Sequence, residues 1–310
     1  MQKSLSLALS SRRGLLSHLS AESAGMLLGL IGVAIFSLTL PFTRMAVAEL
    51  DPVFSSMARA VIAAALSGGW LLWSRAPLPS RAMFVPLFWV AAGCVIGFPL
   101  LTSMAMQHVP ASHGAVLIGI LPLMTALFSA LRNKEKPSRG FWAFALLGSA
   151  IVVGFALREN SGVLHPADLA ILAAGIMASF GYAEGARASH TLGGTQTICW
   201  ALLLALPVTV PLTLVQGLAH ADGIAEAGAR AWTGLAYTSV FSMFLGFFFW
   251  YRGMVLGGVA RVGQVQLVQP FLTLLGAALV LGEPLQGQHL LFALAVIATV
   301  GFGRRMAIRR

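Results

Sequence analysis

Long apolar runs separated by short polar connections dominate the chain. Ten such runs lie at about 24–46, 53–73, 83–106, 110–131, 140–157, 166–186, 195–217, 231–256, 259–281 and 286–303. Helices of this length cross the roughly 30 Å hydrocarbon core of a bilayer at about 1.5 Å per residue. The runs are continuous and do not alternate between apolar and polar residues, which excludes a porin-type barrel. The pattern predicts an all-α integral membrane protein with ten transmembrane helices.

Two parts of the chain resemble each other at a single offset. A shift of 148 residues places Pro122 on Pro270 and Glu135 on Glu283 without a gap. A proline in the middle of a membrane helix is tolerated where neighbours or water satisfy the freed backbone groups. Five helices per half is an odd number, so the second half is predicted to be inverted relative to the first. The predicted units are a tail at 1–23, a first repeat at 24–158 and a second repeat at 166–305.

Composition supports a membrane location. Hydrophobic residues make up 58% of the chain and charged residues only 10%, which is too little charge to cover a soluble surface. The net charge of +10 does not indicate a nucleic-acid partner, because the twenty lysines and arginines are spread along the chain near the ends of apolar runs. In the ten-helix topology, sixteen of these twenty lie on the side of the N-terminus. The positive-inside rule therefore predicts that both termini are cytoplasmic.

A polar stripe on the ninth run is the strongest candidate for a substrate site. Gln266, Gln269 and Thr273 fall within about 60° of one another at 100° per helical residue, beside Pro270. Buried amide and hydroxyl groups need hydrogen-bond partners, so the stripe either lines a wet cavity or bonds helices together. We assign it to a cavity.

Four residues on other runs complete the predicted cavity lining. Ser242 and Trp250 share a face of the eighth run, Ser37 lies in the first and Tyr182 in the sixth. For Trp250 the alternative is an aromatic belt at the membrane surface. For all seven residues the alternative is helix-to-helix bonding.

Three charged residues inside apolar runs are candidates for proton or charge coupling. Glu184 lies three residues before Arg187, so it either forms an ion pair within the helix or acts as a proton carrier. Arg44 and Arg187 correspond at an offset of 143, and each either extends to the membrane surface or contacts an anionic group.

Arg59, in the second run, is a further intramembrane charge. Glu49 and Asp51 lie just before this run, and we expect one of them to pair with Arg59.

No motif of enzymatic, metal or cofactor chemistry is recognisable in the sequence. HExxH, GxSxG and P-loop patterns are missing. His108 and His113 have no cysteine or aspartate at ligand spacing, and Cys94 and Cys199 are predicted to be buried apolar residues. The sequence therefore predicts neither an enzyme nor a metal site.

Specific stretches resemble the ten-helix EamA branch of the drug/metabolite transporter superfamily. They are Pro270 with the following LLGAALVLGEPL, the GSAIVVGFAL run of the first half, and FSLTLPFTRMAVAELDP followed by Arg59. The resemblance implies a bacterial inner-membrane carrier without a cofactor, often an exporter of amino acids or similar small metabolites. It implies a cavity between the halves lined by helices one, three, four, six, eight and nine, and it leaves a homodimer open. The alternative is a membrane scaffold or lipid-handling protein in which the same polar groups only hold helices together.

Overall fold

The fold is a bundle of helices, seen in a computed structural model that describes residues 20–132, 136–159, 165–303 and 308–309. The main helices are α1 (Ala21–Val47), α2 (Pro52–Trp73), α3 (Arg81–Met106), α4 (Ala111–Arg132), α5 (Arg139–Glu159), α6 (Pro166–Leu192), α7 (Gly194–Ala219), α8 (Ala229–Gly257), α9 (259–281) and α10 (Gly287–Gly303). A short helix, Ala221–Glu226, joins α7 to α8. A two-residue antiparallel ladder pairs β1 (Lys136–Pro137) with β2 (Ile308–Arg309). The predicted all-α class is confirmed.

Seven of these helices are long and apolar enough to cross a membrane. They are α1 to α4 and α6 to α8. Apolar segments of α5, α9 and α10 are shorter: Trp142–Phe155, Val265–Leu281 and Gly287–Thr299. The count of ten spans therefore stays a prediction. Most of the predicted tail at 1–23 and the end of the second unit at 304–305 lie outside the described residues.

Short polar signals set the helix boundaries. Asp51 accepts a hydrogen bond from the backbone N–H of Phe54 at 2.8 Å, and Pro52 occupies the first position of α2, where its missing N–H costs nothing. Gly193 and Gly258 adopt φ values of +84° and +82° where α6 and α8 end. A residue with a side chain would be strained there, so glycine permits the abrupt turns into α7 and α9.

Equivalent helices of the two halves make equivalent contacts with the other half. The helix α2 packs along α7, and α5 packs along α10. The helix α1 packs along α8, and the equivalent pair in the other half, α6 with α3, is also in contact. Glycines permit a close approach of α1 and α8: a Cβ added to Gly25 would lie 2.6 Å from the Cα of Gly257.

Irregular turns recur at the offset of the sequence repeat. A 3₁₀ segment precedes each mid-helix proline, at Ile118–Ile120 in α4 and at Gly263–Val268 in α9. A π-helical segment interrupts α3 at Ala91–Gly97, and shifting it by 148 gives 239–245, inside the π-helical Thr238–Gly246 of α8. A π-helical turn widens the backbone ladder and is often found at functional sites. Both kinds of break lie beside the cavity described next.

Candidate functional site

A narrow cavity lies between the two halves. Helices α1 to α4, α6, α8 and α9 all contribute to its wall, at Phe36, Thr39, Arg59, Cys94, Phe98, Leu121, Ala178, Tyr182, Ser242, Phe247 and Gln269. The combination of apolar walls and a few polar groups is typical of small-molecule sites.

The lining is built from equivalent positions of the two halves. Cys94 and Ser242 are related by the offset of 148, and both lie in the π-helical segments. Leu121 and Gln269 are related by the same offset, and each comes directly before its mid-helix proline. The cavity is therefore located where the backbone irregularities of both halves meet.

The two proline breaks lie close together in the bundle. A Cβ added to Gly119, one turn before Pro122, would lie 3.6 Å from the ring of Pro270. The carbonyl and N–H groups freed near a proline are consequently beside the cavity wall and not at the lipid surface.

Polar groups of the lining come from facing helices. The hydroxyls of Thr39 in α1 and Ser242 in α8 are 2.8 Å apart and form a buried hydrogen bond. Tyr182 and Gln269 also line the cavity. Three predicted site residues, Tyr182, Ser242 and Gln269, are thus brought together at one place.

Arg59 is the charged residue of the described lining, and its predicted pairing is wrong. Glu49 accepts a hydrogen bond from the backbone N–H of Gly228 at 2.6 Å, and Asp51 caps α2. Arg59 is only 2% exposed, and its Nε and Nη1 have no hydrogen-bond partner among the described residues. Glu49 and Asp51 therefore bind backbone groups and not Arg59. Arg59 lines the cavity instead.

Three other predicted cavity residues are buried but are not part of the cavity wall. Gln266 and Thr273 are buried in α9, and their polar side-chain atoms have no partner within the described part of the chain. Ser37 donates to the carbonyl of Ala34 on its own helix at 2.7 Å. Gln266 and Thr273 are thus buried away from lipid, and Ser37 is satisfied locally.

Trp250 belongs to a buried aromatic cluster. It is 0% exposed, and its ring centroid lies 6.2 Å from that of Phe36 and 5.5 Å from that of Tyr182. The alternative of an aromatic belt at the membrane surface is therefore wrong. Trp250 supports the two cavity aromatics from behind, and edge-to-face packing of this kind holds rings in fixed orientations.

An ionic cluster surrounds Glu184 at the C-terminal end of α4. Arg132 donates from Nε to one carboxylate oxygen of Glu184, and Nη2 of Arg187 lies 3.3 Å from the other. The carboxylate is fully buried, and both arginines are partly exposed. The ion pair within α6 is therefore present, together with a partner from α4 that sequence spacing did not indicate.

A second ionic cluster lies at the N-terminal end of α4. Glu283, just after α9, accepts hydrogen bonds from the backbone N–H groups of Ala111 and Ser112 at 2.9 Å each. Arg44 donates to the carbonyls of Met106 and Val109, and its Nε lies 3.6 Å from Glu283. This cluster joins α1, α3, α4 and α9. The equivalent glutamate of the first half, Glu135, lies outside the described residues.

A buried histidine and aspartate near the same end were not predicted as partners. His113 Nε2 and Asp168 Oδ1 are 2.6 Å apart, with side chains 4% and 0% exposed. Asp168 also accepts from the backbone N–H of His165 at 2.9 Å. The two residues are 55 positions apart, so only the packing of α4 on α6 reveals the pair.

Comparisons with known proteins agree with this architecture. The model of the EamA-like transporter family matches twice, at residues 23–157 and 165–302. The chain is 46% identical over 283 residues to the uncharacterized transporter YdeK of Bacillus subtilis (strain 168), covering 91% of this chain and 98% of that one. A crystal structure at 18% identity superposes with a TM-score of 0.62 over 92% of this chain and 99% of the other, a likeness of fold alone.

Proposed function

This chain is a multi-pass membrane transporter of the EamA-like family, within the drug/metabolite transporter superfamily, and we propose that it exports amino acids or similar small metabolites by alternating access. The observation that carries the proposal is a cavity whose wall includes two pairs of equivalent residues of the two halves, at the breaks in their helices. Inverted halves with broken helices favour a shared site near the middle of the membrane that opens to one side at a time. Tyr182, Ser242 and Gln269 line the cavity and support this proposal.

The two ionic clusters at opposite ends of α4 support a gating role. The helix is 22 residues long, which corresponds to about 32 Å. Arg44 with Glu283 ties four helices together at one end, and Glu184 with Arg132 and Arg187 joins α4 to α6 at the other. Opening either end requires separation of the helices that its cluster joins, so the clusters can act as alternate gates. Proton coupling through Glu184 stays part of this proposal.

Location and direction follow from charge and from the family. The excess of lysine and arginine on the side of the N-terminus supports both termini in the cytoplasm of a bacterial plasma membrane. Export is the direction that the resemblance favours, with the lipid bilayer and a small solute as the partners of the protein.

Counterflow in proteoliposomes tests the transport step. Vesicles loaded with an unlabelled amino acid or other metabolite should accumulate the labelled compound when they contain the protein. Ser242→Trp fills the cavity and should abolish counterflow. Phe241→Trp is the matched control, because Phe241 is the neighbouring residue and is 47% exposed, so counterflow should persist.

Three outcomes decide between transport and the alternatives. Loss of counterflow in Ser242→Trp, with a melting temperature near that of the wild type, supports a transport route through the cavity. Equal transport by both variants contradicts that route. Vesicles that exchange no solute in a broad panel but scramble labelled phospholipid would favour a lipid-handling protein instead.

A further inference from the structure

Arg59 is a buried charge without a counter-ion in the described structure. It is 2% exposed and lines the cavity, and two of its three nitrogens are buried without a hydrogen-bond partner. A guanidinium stays protonated in proteins. An unpaired charge in a low-dielectric interior is costly, so such residues in membrane spans usually mark a functional site.

Five acidic side chains of the described structure are held by groups other than Arg59. Each of five acidic residues has its own partners among backbone N–H groups, arginines or His113, and none of these partners is Arg59; they are Glu49, Asp51, Asp168, Glu184 and Glu283. Within the described residues, Arg59 forms no ion pair. Among the described groups, Arg59 is therefore left able to pair with an anion that enters the cavity.

The position of Arg59 breaks the symmetry of the site. Counted from the first residues of α2 and α7, Pro52 and Gly194, Arg59 corresponds to Ala201 in the second half. Ala201 is fully buried and apolar. The cavity therefore has one cationic side, and a solute held there is oriented by a single charge.

We propose that Arg59 binds the carboxylate of a small organic monocarboxylate substrate through the N–H donors of its guanidinium. This inference rests on the proposed transport function and narrows its substrate class. Guanidinium groups match carboxylates in two-point geometry. A single cation balances a monoanion, whereas a dianionic phosphate would leave one charge uncompensated.

The remaining wall fits the rest of such a molecule. Phe36, Phe98 and Phe247 supply apolar surface, and Gln269 with the hydroxyl pair Thr39 and Ser242 supplies neutral polar groups. Aromatic faces and hydroxyls also accept an ammonium group, so α-amino acids are included.

The test compares carboxylates with their uncharged amides on the purified full-length protein. The probes are benzoate with benzamide and N-acetyl-L-phenylalanine with its amide, and phenyl phosphate tests the dianion. Ligand-dependent shifts in melting temperature give apparent affinities. The carboxylates should stabilise the wild type more than the amides do, and phenyl phosphate should stabilise it less than benzoate does.

Variants of Arg59 locate the effect. Arg59→Gln should weaken carboxylate binding on the order of tenfold to a hundredfold and leave amide binding unchanged. Arg59→Lys should retain part of the carboxylate response, because charge remains and two-point geometry is lost. Arg230→Gln is the control, since Arg230 is exposed and donates to the Val280 carbonyl at 3.3 Å. It should behave as the wild type.

Several results would overturn the inference. They are a panel in which no carboxylate stabilises the wild type more than its amide, an undiminished carboxylate response in Arg59→Gln, or a stronger response to phenyl phosphate. Counterflow separates this failure from failure of transport. Exchange of neutral solutes alone would remove the carboxylate site and leave the proposed function standing.

Discussion

At the scale of single residues, sequence reasoning identified polar groups more successfully than their partners. Tyr182, Ser242 and Gln269 were predicted for the cavity and line it. Arg59 was assigned to an ion pair with a neighbour in sequence, because spacing shows only local candidates. Contacts between residues more than fifty positions apart depend on helix packing, and one sequence carries no signal for them.

The Asp168 and His113 pair gives a test of stability at this scale. Asp168→Ala leaves His113 and a backbone N–H without their acceptor in a buried site. We expect a loss of about 3 kcal/mol, since removal of one partner of a buried pair is strongly destabilising. Thermal unfolding in detergent measures the change.

Two further variants control the Asp168 experiment. Asp168→Asn keeps an oxygen acceptor and should cost less than the alanine change. Asp222→Ala, at an exposed position of the short helix Ala221–Glu226, should leave the melting temperature nearly unchanged. Equal stability of wild type and Asp168→Ala would show that the pair is structurally neutral.

At the scale of helices, the breaks at proline were predictable and the π-helical turns were not. Pro122 and Pro270 each lack a backbone N–H donor, so the position of each break can be read from the sequence. The π-helical segments Ala91–Gly97 and Thr238–Gly246 contain no proline and have no composition in common that marks them. Their only signal is their correspondence at the offset of 148, which becomes visible once one of them is known.

Because α1 and α8 are in close contact, we expect that one added methyl group between them strongly lowers the stability of the protein. In Gly25→Ala the new Cβ would meet backbone atoms of Gly257 and, at 2.8 Å, the carbonyl oxygen of Gly253. Backbone atoms of packed helices have little freedom to move, so we expect a loss of about 1–3 kcal/mol in thermal unfolding.

A glycine with open space serves as the matched control for Gly25. A Cβ at Gly69, inside α2, meets nothing within 4 Å. Gly69→Ala should be neutral or stabilise the protein by roughly 0.5–1 kcal/mol, because alanine loses less backbone freedom in a helix. Similar effects of the two substitutions would contradict a tight α1 and α8 contact.

The cluster of Arg44 and Glu283 predicts a change in accessibility at the N-terminal end of α4. Glu283→Ala removes the acceptor of two backbone N–H groups and the counter-charge of Arg44. We expect this end of the bundle to open more often. A cysteine at Ser112, which is 4% exposed, should then react several-fold faster with a membrane-impermeant maleimide added outside the cell.

The variant His108→Cys is the control for the labelling experiment. His108 is exposed at the same end, so it should react at the same rate with and without Glu283→Ala. Cys94 lines the cavity and could react when the bundle opens, so the labelling is carried out in a background in which Cys94 and Cys199 are replaced by alanine. Unchanged protection of Ser112→Cys in the Glu283→Ala variant would remove the gating role of the cluster.

At the scale of the whole molecule, hydrophobic runs and one internal offset carried most of the prediction. They predicted the all-α membrane class and the family, because both depend on which residue types occur along the chain. The shapes of α5, α9 and α10 were less predictable, because their apolar segments are short and their ends depend on neighbours. The cavity could not be predicted from the sequence, because seven helices contribute to its wall. Patterns along one sequence do not show how seven helices pack together.

The inverted arrangement of the halves is tested by reporter fusions at equivalent helix ends. The helices α2 and α7 occupy equivalent places in their halves and end at Trp73 and Ala219. If the second half is inverted, a fusion after Trp73 faces the cytoplasm and one after Ala219 faces outside. Green fluorescent protein should therefore fluoresce only at Trp73, and alkaline phosphatase should be active only at Ala219.

A direct repeat would give the opposite relation, because equivalent ends would then lie on the same side of the membrane. A fusion after Leu192, at the end of α6, adds an internal check and should again report the cytoplasm. Arg187, one turn earlier, contributes to the positive bias that holds this end inside. If Trp73 and Ala219 report the same side, the halves are parallel, and a cavity that alternates between two mirror-related ends loses its structural basis.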